Sequence, residues 1–367
     1  MQRVVSDPTV PSVAIVNASD GSDGITQSVE PYSGVLARSG YSVAWYQCVD
    51  YHGRPHVPEG GVTVRGLGIP LRTLDMGVNR LWVFPHRLHR IPAETVVLAD
   101  PTLIGIAPSN DRVAVLVHDL RPLTRFSDRY PTRWMFRRAM PRLRQVWRIL
   151  VPSASVGRQL SEFGIDPGRV RTVPETHELG YHPEHVTESL RRVADGRETR
   201  VLFVGTDREY KNVELVLQLA QRLQDRAGHR YTFTLLSRLR SATRRRIAEL
   251  KLRNVRSVFG VDRVGPLYDQ SDVLVFPSRY EGFGRPLIEA MAYGLPILAS
   301  RIEPVVEVVD DAGILLDPDA VDAWLGALTS LEDTTTMERY ARRSAERGRA
   351  YLPDRFASAM LPALRAS

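Results

Sequence analysis

The residues best suited to chemistry lie in SRYEGFGRPLIEAMAYGLP, residues 278–296. Two carboxylates, Glu281 and Glu289, flank seven residues that include Gly282, Gly284 and Pro286. An apolar run ending at Phe276 precedes them, so the order reads strand, glycine-loosened turn, helix. Pro286 suits the start of that helix, where an N–H would have no acceptor. The free N–H groups of a helix start attract an anion such as a diphosphate. Carboxylates beside it accept hydrogen bonds from sugar-type hydroxyls. A carboxylate that only meets the helix dipole would explain one Glu, but not the whole string. Lys211 is the second candidate. It follows the apolar run 201–206 and precedes the helical pattern VELVLQLAQRL at 213–223, a usual place for a phosphate contact. Lys211 and Lys251 are the only lysines in an arginine-rich chain. A retained lysine is therefore more informative than any arginine cluster, and its charge would stabilise a departing diphosphate.

These side chains need a scaffold, and the chain is long enough for one. It has 367 residues, 43% hydrophobic and 25% charged, which suits two folded domains and excludes overall disorder. No apolar run approaches the roughly 20 residues of a membrane span. The N-terminus lacks the apolar core of a signal peptide. Cys48 is the only cysteine, so neither an intrachain disulfide nor a zinc ribbon is possible, and a reducing cytoplasm fits. Short Val/Ile-rich runs alternate with helix-length segments. They fall at 11–18, 41–49, 62–69, 94–100, 112–120, 148–153 and 169–175. A second series runs through 200–206, 231–237, 255–260, 272–278, 296–300 and 313–318. Unbroken apolar runs of this kind mark parallel strands buried on both faces. Two successive series predict two doubly wound α/β domains. The polar stretch 176–199 reads as the linker between domains at 1–175 and 200–340, and 341–367 reads as a helical tail.

The string EGFGRPLIEAMAYGLPILAS, with its Glu-x7-Glu spacing, resembles the signature of the retaining glycosyltransferases of family 4. SDVLVFPS (271–278), VVEVVDDAGILLDPDAVDAW (305–324) and VLFVGTDREYKN (201–212) extend the likeness. It is close over 200–325, moderate over 112–175 and weak before 110. The resemblance implies a GT-B fold, two facing Rossmann-like domains with the active site in the cleft between them, and a tail crossing back onto the first domain. It implies a nucleotide-diphosphate sugar donor, a hydroxyl acceptor, front-face attack with retention, and no metal or other cofactor. Glu281 would touch the donor-sugar hydroxyls, and Glu289 the nucleotide ribose. Gly282, Phe283 and Gly284 would present backbone N–H groups, and Lys211 would bind the diphosphate beside Gly205. Many relatives place an Arg directly after that glycine; here the position is Thr206, and Arg208 is the nearest replacement. RVAVLVHDLRPL (112–123) resembles the family's strand ending in His-Asp. His118 would then be a catalytic residue facing the donor sugar across the cleft, either hydrogen-bonding a sugar hydroxyl or assisting the reaction centre with its backbone carbonyl, and Asp119 and Arg121 would lie on the acceptor side. Gly24, in the glycine-rich loop DGSDGIT (20–26), would lie near them.

Other patterns fail on spacing. HELGYHPEH (177–185) places His177 and His182 five apart, off the shared helix face of a zinc protease. Asp20 and Asp23 begin a calcium-like loop, but its twelfth position is Pro31 rather than Glu. Asp317 and Asp319 form an Asp-x-Asp pair, in which Asp319 reads as the cap of a helix starting near 320. The net charge of +7 permits nucleic-acid, membrane or anionic-substrate contact. The Arg-rich stretches 131–149 and 238–253 read as solvated helix faces, which leaves open a peripheral contact with an anionic acceptor or with the inner face of a membrane; no nucleic-acid partner is expected. Two rival readings stand beside glycosyl transfer to a cell-envelope glycan, lipid-linked sugar or natural product. One is a nucleotide-sugar epimerase or hydrolase. The other is a non-catalytic Arg-rich module that binds polyanions.

Overall fold

The computed structural model describes residues 10–18, 24–50, 57–58, 60–106, 112–127, 130–182, 184–196, 198–226, 228–261 and 263–365. The chain forms two compact units, Met1–Thr176 with Pro353–Ser367, and His177–Leu352.

The first unit runs β1 (Ser12–Asn17), α1 (Gly24–Arg38), β2 (Ser42–Val49), β3 (Val62–Arg65), α2 (Arg72–Val78), a π-helical turn (Asn79–Val83), α3 (Phe84–Arg87) and β4 (Thr95–Leu98). It continues through β5 (Val113–Leu116), α4 (Tyr130–Leu143), β6 (Arg148–Val151), α5 (Ala154–Glu162) and β7 (Val170–Thr172). Its seven strands are parallel, in the order β3-β2-β1-β4-β5-β6-β7. The second unit runs α6 (His185–Ala194), β8 (Glu198–Val204), α7 (Val213–Leu223), β9 (Arg230–Leu236), α8 (Ser241–Glu249), β10 (Val255–Val258) and α9 (Gly265–Asp269). Next come β11 (Val273–Phe276), α10 (Arg285–Ala292), β12 (Ile297–Ser300), α11 (Glu303–Val309), β13 (Ile314–Leu316), α12 (Val321–Ser330) and α13 (Thr334–Gly348). Its six strands are also parallel, in the order β10-β9-β8-β11-β12-β13. The last helix, α14 (Pro353–Leu364), returns to the first unit, where Phe356 packs edge-on against Tyr32 of α1 at 5.0 Å.

Among the described residues all thirteen strands coincide with the apolar runs identified from sequence; eleven lie wholly within them, while β8 starts at Glu198 and β9 at Arg230, just ahead of theirs. The reason is visible in the burial: the residues of β4, β5, β11 and β12 are buried throughout, because helices cover both sheet faces. Both sheets reverse direction beside their first strand, between β1 and β4 and between β8 and β11. In open α/β sheets that reversal opens a crevice at the carboxyl ends of the strands.

Three boundaries differ from the sequence reading. Residues 177–199 belong to the second unit, and most of the stretch 176–199 is not a linker. Its charged residues disguise helix α6, which buries His185, Val186, Ser189 and Val193. The His185 ring bonds the Ser271 carbonyl at 2.8 Å, and Arg192 reaches the fully buried carboxylate of Asp272. The returning tail begins at 353 rather than 341, since α13 packs on α10 within the second unit. The helical stretch between β3 and β4 has no counterpart in the sequence reading. Its first inward positions are polar, Asp75 and Asn79, both fully buried, ahead of the apolar Phe84 and Leu88.

Candidate active site

The switch point of the second sheet brings the predicted chemistry together. Lys211 ends a 3₁₀ turn after β8, and Glu281 lies in the turn after β11. The Lys211 ammonium donates to Glu281 Oε1 at 2.5 Å. Only 12% and 11% of the two side chains are exposed, so little water screens the pair. The lysine also lies 5.3 Å from the Phe276 ring centroid and 5.7 Å from that of Tyr210. Its stem crosses Gly205, where an added Cβ would stand 3.3 Å from Lys211 Cδ. Gly205 therefore gives the lysine its path. An ammonium has three donors, so two remain once Glu281 has taken one.

The surrounding turn is held by backbone bonds. Arg208 N–H donates to Thr206 O at 2.9 Å, and Lys211 N–H to Arg208 O at 2.9 Å. Thr206 is exposed and Arg208 half-buried. Asn212 takes a left-handed backbone, φ 55°, and its side-chain amide donates to Pro318 O at 2.8 Å. The adjoining Arg279 N–H donates to Tyr210 O at 2.7 Å, tying the loop after β11 to the loop after β8.

Helix α10 begins as predicted, with Pro286 in its first turn and Gly284 at the cap. Gly284 has φ 104°, a conformation that favours glycine, and a Cβ there would meet Leu287 Cδ1 at 2.7 Å. Gly282 and Phe283 are buried before it, with the Phe283 ring edge-on to Tyr351 at 5.8 Å. Glu289 lies in the second turn and is 7% exposed. Its Oε1 accepts from Arg285 Nε at 2.9 Å and its Oε2 from the Tyr268 hydroxyl at 2.6 Å. Burial first, then the Glu289 charge, push the Tyr268 hydroxyl well above its ordinary pKa, so it stays a donor. Sequence reasoning missed both partners. Arg285 carried a signal, its i,i+4 spacing to Glu289; Tyr268 carried none.

Asp319 does not cap α12. The cap position is Ala320, and the Asp319 carboxylate instead pairs with Arg279 at 2.7 Å. Its own N–H donates to Asp317 Oδ1 at 2.9 Å. The near-zincin histidines are also separate: His182 stacks on Tyr293 at 4.8 Å, while His177 is buried. Burial first, then the Arg285 charge, lower the His177 pKa to about 4. Neither of its ring nitrogens has a hydrogen-bond partner.

In the first unit, His118 follows β5 and bonds the Ala99 carbonyl through Nε2 at 3.0 Å. A carbonyl only accepts, so Nε2 carries the proton and Nδ1 is the acceptor. His118 lines a small pocket with Ser28, Tyr32, Val173 and Glu175. Asp119 and Arg121 are turned toward each other: Asp119 Oδ1 accepts from Arg121 N–H at 2.9 Å. Gly24 opens α1, while residues 19–23 of the glycine-rich loop, with Asp20 and Asp23, lie outside the described residues.

Two parallel sheets of this winding, in two successive units, define the GT-B class. Residues 22–176 match the family model "Glycosyltransferase Family 4", and residues 188–349 match "Glycosyl transferases group 1". The chain belongs to these glycosyltransferases. It is 36% identical over 145 residues to the O-antigen chain mannosyltransferase B of Escherichia coli, covering 37% of this chain and 38% of that one. It is 32% identical over 217 residues to the MMP alpha-(1->4)-mannosyltransferase of Mycolicibacterium hassiacum, covering 56% and 49%. These matches thus span less than half of each relative's length. Among solved structures, the sucrose-phosphate synthase of Thermosynechococcus elongatus aligns with TM-score 0.78 at 20% identity, over 95% of this chain and 97% of that one. Anabaena HepE in complex with UDP and glucose aligns with TM-score 0.75 at 14% identity, over 96% and 98%.

Proposed function

We propose that the protein transfers a hexosyl group from a nucleotide-diphosphate sugar to an acceptor hydroxyl, with retention at the anomeric carbon. The observation that carries this reading is the shielded Lys211–Glu281 pair at the switch point of the second sheet, beside the amino end of α10. In this reading the bond from the anomeric carbon to the diphosphate oxygen breaks, and the acceptor oxygen bonds that carbon on the same face. The acceptor proton passes to the departing diphosphate. Lys211 and the start of α10 stabilise the charge that grows on the leaving group. Glu281, held by the lysine through one oxygen, offers the other to a sugar hydroxyl. Glu289, fixed by Arg285 and Tyr268, offers its remaining lone pairs to the ribose. Gly282 and Phe283 would line the sugar, and Thr206 and Arg208 the phosphates. In the first unit we assign acceptor recognition to His118, Asp119, Arg121 and Gly24, with His118 Nδ1 accepting from a hydroxyl.

The names of the two curated relatives make mannose the first sugar to test, and the UDP held by HepE makes uridine one base to include. The experiment is a thermal-shift screen with UDP, GDP, dTDP and ADP and their common sugars, with and without Mg²⁺. A ligand at about 100 times its Kd adds roughly 2.7 kcal/mol of stability. A selective, metal-independent shift that is lost in Glu289→Ala supports the donor site, and a failure to respond to any nucleotide sugar rejects it. Sustained donor turnover without acceptor would replace transfer by epimerisation or hydrolysis.

A further inference from the structure

The stretch between β3 and β4 has an inverted polarity. Its inward positions begin with Asp75 and Asn79, each fully buried, before Phe84 and Leu88 take over the core. Its outward positions are apolar: Leu71 is 63% exposed, Leu74 51% and Trp82 74%. Nearby Val62 and Leu67 are 47% and 58% exposed. Among the described residues nine large hydrophobic side chains are exposed, and these five fall within residues 62–82. Hydrogen bonds tie the loop after β3 to the helical stretch that carries Leu74 and Trp82. Asn79 Oδ1 accepts from Leu67 N–H at 2.9 Å, Asp75 Oδ1 accepts from Ile69 N–H at 2.8 Å, and the Arg87 guanidinium donates to Arg65 O.

The inward carboxylate and amide therefore pin the preceding loop flat against the helix, and its apolar residues face water together. Singly, such residues need no explanation; clustered, they mark a binding face. The charge around them identifies the partner. Across residues 61–93 there are five arginines and two histidines, and the one acid, Asp75, is buried. Arg65, Arg87 and Arg90 are exposed there. Tryptophan and leucine flanked by arginines suit the headgroup boundary of an anionic bilayer: the apolar side chains enter it while the guanidiniums meet lipid phosphates.

We propose that this face of the first unit docks the protein on an anionic membrane surface. The proposal is independent of the donor reading. It also moves any membrane contact away from the Arg-rich stretches 131–149 and 238–253, whose charges the sequence reading assigned to solvent.

The test is co-sedimentation of the full chain with vesicles of phosphatidylcholine alone and of phosphatidylcholine mixed with phosphatidylglycerol. Binding is expected only to the mixed vesicles. The variant L71S/L74S/W82S should weaken it roughly tenfold or more, since it removes the side chains that enter the boundary. All three sites point to solvent, so circular dichroism and Tm should stay near wild type. Arg87→Gln with Arg90→Gln should weaken binding less and reduce its salt dependence. No binding of the wild type, or equal binding by the serine variant, overturns the proposal. So does a wild-type dimer in analytical ultracentrifugation that the serine variant converts to monomer, because the face would then belong to a second copy.

Discussion

The carboxyl ends of the two sheets are finished differently. In the second unit the strands flanking the switch point end in a charge pair, Lys211 with Glu281, and the next helix buries another, Arg285 with Glu289. In the first unit the strand ends mix hydrogen-bonding groups with looser ion pairs, Arg80 with Asp100 and Arg121 with Asp119 at 3.9 Å. His118 sits on the Ala99 carbonyl, and Asn17 donates to Gln47 Oε1 and Thr26 Oγ1 at 3.2 and 3.1 Å. Asp100 accepts from the Thr102 N–H and hydroxyl, with Arg80 3.5 Å away. The same winding thus carries a charge pair joined directly at 2.5 Å in the second unit, and in the first a looser pair, Arg80 with Asp100 at 3.5 Å, set among hydrogen-bonding groups. A charge pair fixed before a ligand arrives needs no reorganisation when charge develops nearby. Hydrogen-bonding groups such as His118 and Asn17 offer directional contacts, which sort hydroxyls. The contrast fits a leaving group handled by the second unit and an acceptor recognised by the first.

The largest effect should come from breaking the charged end. Lys211→Ala and Glu281→Ala should each lower turnover by on the order of 10²-fold or more, with unchanged circular dichroism. Glu281→Gln keeps a hydrogen-bond acceptor for the lysine and should fall between. Steady-state kinetics with the donor found by thermal shift would measure this. Unchanged turnover in both alanine variants would remove the charge pair from the mechanism and leave the two sheet ends functionally alike.

The two regions also differed in how openly the sequence declared them. Around 278–296 every local rule pointed one way: an apolar strand, two glycines, a proline at the helix start and two acids at fixed spacing. The structure places Glu281 on Lys211, a residue 70 positions earlier; each was legible as a site residue, Lys211 because lysines are so few, but their direct pairing was not. What held Glu289 was only half legible, because Tyr268 arrives through tertiary packing from α9. Asp319 shows a limit of capping rules: a nearby guanidinium, Arg279, took the carboxylate that local reasoning gave to the helix. In the first unit the strands were legible and the helix at 72–78 was not. Its buried stripe begins with Asp75 and Asn79, whose partners are backbone amides, each other and the Asp50 carboxylate, so the usual apolar inward face is missing. Helix α6 hid in the same way behind charges, its inward groups being His185 and Ser189, which bond each other at 3.1 Å.

A second test concerns acid. His177 is 1% exposed, and its pKa falls from 6.5 to about 4, by burial first and then by the Arg285 charge. Between those values the unfolded chain binds a proton that the folded chain does not. Stability therefore rises with pH across this window and is lost as pH falls from about 6.5 to 4, by on the order of 3 kcal/mol at the acid end. His177→Leu removes the titration and should flatten that part of the profile in denaturant unfolding at a series of pH values. An unchanged slope would show that His177 is not what makes the second unit acid-sensitive. A smaller loss is expected from Gly284→Ala, about 1–3 kcal/mol, because the variant must hold φ 104° and displace Leu287. It should lower Tm by roughly 2–4 °C per kcal/mol. Donor affinity should fall with it, since the start of α10 would shift.

The smallest effect should come from the first unit, and it is the sharpest test of the contrast. If the first unit sorts hydroxyls rather than charge, His118→Ala should cost about tenfold, the worth of one or two hydrogen bonds, well short of the loss at Lys211. The loss should appear as a raised KM for acceptor, with the donor-induced thermal shift unchanged. His118→Asn retains an acceptor and a donor on a shorter side chain and should recover part of it. The pH profile of kcat should not acquire or lose a limb, because in the front-face route the departing diphosphate, and not His118 Nδ1, takes the acceptor proton. A loss in kcat as large as that at Lys211, or a missing acidic limb, would place proton transfer in the first unit. The front-face route, in which the diphosphate itself takes the proton, would then have to be given up.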